Sequence, residues 1–311
     1  MFRSPALPTP AWQAGLTALA LLLSCAGCIV IPPPVESNFN RGVEAYDEGK
    51  LADAIRYYKL ELEQHPDHFF ARYNLAVAYQ DQQMDDAALE QYRIILENHE
   101  DANSRINLAA LLYGRGQKEE AFRQLERAVR NHPDDPNPAS VLGHLLEEEG
   151  RYPEARARYQ EALAIDPEHA VTHFRLGRLS LKMGLDKEGE AELIRAVELD
   201  DEQPEYLEHL AGHFLKQNNP SGAIDMLERV SVLQPDRAEV FLKLGDLYRG
   251  LGYHREAALR YWEAVGIDPD NLHAHRMLQE LFETLALEER KKLEELQQKG
   301  RAVAQSPSRN P

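Results

Sequence analysis

The chain has 311 residues and a formal net charge of −17 at pH 7, with 43% hydrophobic and 28% charged residues. Such an acidic surface argues against duplex DNA or RNA as a partner, since phosphate binding is driven by Lys and Arg, and against adhesion to anionic lipid through the folded surface alone. The two cysteines, Cys25 and Cys28, lie near the amino terminus, so the remainder can form neither a disulfide nor a cysteine-ligated metal site.

Arg3 is the only charge before Glu36, and the run from Ala14 to Ile31 is uncharged with an apolar heart from Leu16 to Leu23. Three readings fit. A membrane-spanning anchor needs ~20 apolar residues, and this run ends early in Ser, Ala, Gly and Pro. A secretory signal would leave a soluble protein. Leu-Leu-Ser-Cys, from Leu22 to Cys25, resembles the lipobox of bacterial lipoprotein signals, with Cys25 as the acylated residue and Cys28 as the alternative. That resemblance implies a removed signal over 1–24, a triacylated cysteine and a tether over 25–34 containing Pro32, Pro33 and Pro34. Three acyl chains exceed the two signals that stable anchoring requires, and an extended tether of this length reaches ~30 Å. Ala26 or Ile29, rather than Asp, follows the candidate cysteines, a pattern implying the outer membrane, facing the periplasm, as destination in a Gram-negative cell.

From residue 35 onward a two-helix pattern recurs, clearest from Asn137 to His169. Leu142 and Gly143 fall in its first helix, Gly150 closes that helix in a left-handed conformation and Pro153 opens the second. Ala155, Tyr159 and Ala162 share one face of the second helix before Pro167 stops it. Small Gly143, Ala155 and Ala162 allow close crossing, while Leu142 and Tyr159 fill the remaining space. The same positions recur earlier as Gly42, Ala54 and Tyr58, as Ala76, Ala88 and Tyr92, and as Ala109, Ala121 and Ala128. They recur later as Gly177, Gly189 and Ala196, as Ala211 and Ala223, and as Gly245, Ala257, Tyr261 and Ala264. In unit five Gly189 replaces the expected alanine. This pattern resembles the tetratricopeptide repeat, a helical hairpin of ~34 residues.

The resemblance implies an all-α fold: an α-solenoid, a right-handed superhelix of about seven hairpins over 35–271. From Leu272 a helix resumes in phase and becomes highly charged, as suits a capping helix over 272–299. Gly300 is the expected stop, with a disordered tail over 300–311.

Phosphate-loop, nucleophile-elbow and His-Glu-x-x-His patterns do not occur. His169 with His173, and His209 with His213, are spaced for one helix face, but two ligands do not close a metal site. His213 falls where the repeat packs internally. No cofactor, metal or catalytic group is expected, and an enzyme using histidines or surface carboxylates is the alternative. In the family, first helices line a concave groove. The corresponding positions here hold Phe39, Val43, Tyr46, Tyr73, Val77, Ile106 and Tyr113, an apolar strip able either to anchor a peptide or to pack between helices. Further along stand Arg178, Lys182 and Lys216 with Arg175 beside them, a basic cluster suited to a carboxylate or acidic segment. The lysine/asparagine clamp of chaperone-binding relatives is absent: Phe39 and Val43, and Phe174 and Arg178, occupy its positions. The expectation is a non-catalytic adaptor, lipid-anchored in the bacterial envelope, holding a peptide or protein partner and no nucleic acid. A pilotin-like assembly factor and a scaffold for peptidoglycan enzymes both fit.

Overall fold

The computed structural model describes residues 37–305. Fifteen helices and no strand occur among them. They are α1 (Asn38–Asp47), α2 (Leu51–Gln64), α3 (Phe69–Asp81), α4 (Asp85–Asn98), α5 (Ala102–Gly114), α6 (Lys118–Asn131), α7 (Pro136–Glu148) and α8 (Tyr152–Ile165), then α9 (Ala170–Lys182), α10 (Asp186–Leu199), α11 (Pro204–Lys216), α12 (Pro220–Leu233), α13 (Ala238–Gly250), α14 (His254–Ile267) and α15 (Leu272–Gln305). The expected signal over 1–24, the tether with Cys25 and Cys28, and the tail beyond 305 lie outside the described residues.

Consecutive helices pair into seven hairpins, α1/α2 through α13/α14, and each packs on the next. First helices of adjacent units also touch, α1 with α3, α5 with α7 and α7 with α9, whereas no two second helices make comparable contact. The first helices therefore line the tighter, inner side of an α-solenoid.

Local sequence explains each hairpin. Most turns hold one residue at positive φ, as at Gly150 (φ 72°), and Gln83 (φ 60°) and Asn218 (φ 57°) take the same conformation without being glycine. Side-chain caps start several first helices: Asp101 accepts from the Ser104 amide and Asp135 from that of Asn137, satisfying donors that a helix start leaves open. At the crossing within unit four, a Cβ on Gly143 would stand 2.7 Å from Tyr159. Units one and seven repeat that fit with Gly42 against Tyr58 and Gly245 against Tyr261. Unit five crosses differently. A Cβ on Gly189 would stand 2.9 Å from the Gly177 carbonyl oxygen, so the α9 and α10 backbones nearly touch.

The apolar interior is not continuous. One cluster runs from Ala45 to Leu179, a second from Phe174 to Leu244 and a third from Phe241 to Leu281. The first seam falls within α9, where Leu176 and Leu179 join the earlier cluster and Phe174 the later one.

α15 covers the last hairpin with Ala274, Met277, Leu278 and Leu281, and from Ala286 to Lys299 every residue is exposed. The expected stop at Gly300 is corrected: the helix continues to Gln305. A lone glycine costs a helix interior only ~1 kcal/mol, and strong formers flank it in Lys299, Arg301 and Ala302.

Candidate functional site

The amino-terminal strip follows from helix spacing on α1, α3 and α5. Phe39, Val43, Tyr46, Tyr73, Val77 and Tyr113 are half-buried, and Ile106 is buried. Several of these side chains reach the next unit. Tyr46 donates to Asp81 (2.5 Å), Asn107 donates to the hydroxyls of Tyr73 and Tyr92 (3.1 Å each), and Tyr113 donates to Glu149 (2.6 Å). Phe39 lies against His68 with ring centroids 4.9 Å apart. The buried Tyr92 hydroxyl donates to Gln80, and burial holds its pKa well above the usual phenol value. The strip thus joins neighbouring units through its tyrosine hydroxyls.

The basic cluster sits further along, on α9 and α11. Arg175 donates to the Ser140 hydroxyl (2.9 Å), which also accepts from Thr172 (2.8 Å), and the Thr172 hydroxyl lies 2.6 Å from His169 Nδ1. Ser140 and Thr172 are fully buried, so this polar chain crosses the interior between α7 and α9 at the first seam. Burial lowers the Arg175 pKa, the direction expected for a cation removed from water. Arg178 lies over the Phe174 ring at 5.5 Å, and Lys182 over the Tyr152 ring at 4.8 Å with Glu147 at 3.9 Å. Among the described residues neither Arg178 nor Lys216 has a carboxylate partner, although acidic residues outnumber basic ones, 52 to 35. Lys216 lines an open cleft of about 600 Å³ with His209, Glu205, Glu208 and Arg237.

Three histidines feel these cations. His144 is pushed down to about 4 by burial and then by Arg175. His209 is lowered by desolvation and then by Arg178, and His169 by burial with Arg175 contributing. All three favour the neutral imidazole at neutral pH.

Two family models, both described as Tetratricopeptide repeat, match the chain, one over residues 39–104, 86–136, 106–170 and 209–271 and the other over 146–212. The chain belongs to the tetratricopeptide repeat family. Solved structures of similar fold include a tetratricopeptide repeat protein from Parabacteroides merdae, 17% identical with TM-score 0.51, covering 79% of this chain and 97% of that one. The C-terminal part of a TPR repeat-containing protein from Cytophaga hutchinsonii is 15% identical with TM-score 0.54, covering 77% and 99%. Yeast Tom70 is 17% identical with TM-score 0.56, covering 82% of this chain and 58% of its own. At these identities the likeness is one of fold. No curated protein matches the chain. The tetratricopeptide fold is a scaffold for protein–protein interaction, and its members are generally non-catalytic.

The repeat register accounts for the cluster. Residues one repeat apart stack on adjacent first helices, as Tyr73 and Asn107 do across a separation of 34. The same step carries His144 to Arg178, Arg175 to His209 and Lys182 to Lys216. Sequence reading singled out the cations but passed over His144, which that arithmetic would have found. It also passed over Arg105, 2% exposed, whose guanidinium is held by Glu100 and by Gln124 (2.6 Å).

One member of each histidine pair, His173 and His213, serves tetratricopeptide packing. His173 places Nδ1 2.5 Å from Glu192 and Nε2 2.9 Å from the Pro167 carbonyl, and His213 is buried with Nε2 3.0 Å from Glu190. Among the described residues no group of three His, Cys, Asp or Glu is arranged to hold a metal ion.

Proposed function

We propose that this tetratricopeptide protein is a lipid-anchored adaptor of the bacterial cell envelope that holds a peptide or protein partner against the inner face of its first helices. The observation that carries the reading is the cluster around Arg178. Arg178, which lies over the Phe174 ring, and Lys216 have no carboxylate partner among the described residues of an otherwise acidic chain, a combination suited to clasping an extended polypeptide. The strip from Phe39 to Tyr113 would supply apolar contacts and the cations would set orientation. Acylation at Cys25, with Cys28 as the alternative, would hold the array near the inner leaflet of the outer membrane. Two roles suit such an anchored scaffold: helping to assemble a pilus or secretion pore, and docking peptidoglycan enzymes.

The test is partner capture from envelope extract by the wild type and by a Tyr73→Ala, Arg178→Ala double variant, with circular dichroism to confirm folding. The double variant is expected to lose the partner while keeping its helix content, and undiminished capture moves the site off the inner face. For the anchor, Cys25→Ser is expected to shift the protein into the soluble fraction. Full membrane retention rejects Cys25.

A further inference from the structure

We propose that the inner surface of units four to six binds an acidic peptide segment together with protons, which are taken up by His144 and His209 beside Arg175, Arg178 and Lys216. The inference holds only if this inner face is the partner site proposed above.

Charge complementarity selects the occupant. Arg178 and Lys216 have no carboxylate partner among the described residues, and four of the nearby carboxylates, unlike Glu148 and Glu205, are engaged elsewhere. Glu147 of α7 accepts from Tyr159 of α8 (3.1 Å) and lies 3.9 Å from Lys182. Glu149 holds Tyr113 of α5 and Lys118 of α6. Glu190 of α10 is held by His213, and Glu208 by Arg237 at the start of α13. An acidic polypeptide seated here would supply the counter-charge that Arg178 and Lys216 lack.

The histidines sit where that charge would arrive. His144 on α7 faces Arg175 and Arg178 of α9, with Glu148 on its own helix as the opposing charge. His209 on α11 lies against the Phe174 ring at 5.1 Å, within reach of Arg178, with Glu205, Glu208 and Lys216 on its own helix. Burial is the first cause that keeps these imidazoles neutral and the arginines the second, and the arginines are the groups a bound carboxylate would offset. Their repulsion falls when the anion binds, and the imidazole pKa values rise. A complex that holds more protons than its parts tightens as pH falls.

The experiment titrates a fluorescein-labelled hexa-aspartate peptide into the full-length protein in detergent, read by fluorescence anisotropy at pH 7.5 and 5.5. Calorimetry at pH 6.0 in two buffers of unlike ionisation enthalpy counts protons directly. Affinity is expected to rise about tenfold at the lower pH, with net proton uptake, and His144→Gln with His209→Gln is expected to remove most of that gain. Equal affinity at both pH values without proton uptake overturns the linkage, as does an undiminished gain in the double variant, and both leave the partner-site reading standing. No binding at either pH overturns the acidic occupant. Failure of the partner-site reading is read separately, from undiminished capture by the Tyr73→Ala, Arg178→Ala variant.

Discussion

Gly143 and Tyr159 fit each other so closely that a methyl group added to the glycine would stand 2.7 Å from the tyrosine ring and 3.1 Å from the Ala155 carbonyl oxygen. Tyr159 is fully buried and cannot swing away. Gly143→Ala is therefore expected to destabilise by about 1–3 kcal/mol through overpacking. Gly212→Ala in α11, where nothing lies within 4 Å, is expected to stabilise by about 0.5–1 kcal/mol. Urea denaturation of the two variants checks the contrast, and equal shifts would refute the packing assignment.

The α3–α4 turn holds Gln83 at φ 60°, where most other turns have glycine. Gln83→Gly removes a Cβ from a left-handed position and is expected to raise stability by about 0.5–1 kcal/mol. Asn218→Gly, at φ 57°, should gain less, because asparagine tolerates this region better. Thermal melts of the two variants rank them.

Glu100 is held down to about 2 from an ordinary 4.5, first by its hydrogen bond to Arg105. A carboxylate whose folded pKa lies below its unfolded one contributes stability above the unfolded value, and that contribution is lost as pH falls through the folded value. The stability gap between wild type and Glu100→Gln is expected to be full above about pH 5 and to close between about 4.5 and 2. Arg105→Ala, which leaves Glu100 to Arg127 and opens a space at a buried site, should cost about 1–3 kcal/mol. Denaturant midpoints across pH test both.

α15 covers the apolar face of the final hairpin with its first turns, and Glu288 and Glu289 reach back to His254 and Arg255 of α14. Ending the chain after Glu289 is expected to leave the melting temperature unchanged. Ending it after Asn271 uncovers Phe241, Ala257, Tyr261 and Ala264 and should lower the melting temperature and promote aggregation. Calorimetry with light scattering distinguishes the two truncations.

The hairpins were legible because their constraints are local. Gly143, Pro153 and Tyr159 each have one steric reason to stand where they do, and that reason recurs every ~34 residues. Gln83 was opaque, since its left-handed conformation is imposed by the hairpin and not by its own preference. Arg105 reads as a surface cation in sequence, and only the fold brings Gln124 of α6 against it and buries it. Gly300 misled for the opposite reason: a glycine can end a helix, but here the helix runs through it to Gln305. Of the inner surface, the positions followed from the repeat, but the hydroxyl contacts tying Tyr73 to Asn107 required the units to be stacked.

The interruption of apolar contact within α9 has a mechanical consequence. Hydrogen bonds demand direction where greasy contact does not, so Ser140, Thr172 and Arg175 fix how α9 is turned against α7, beside leucines of both helices that share one cluster.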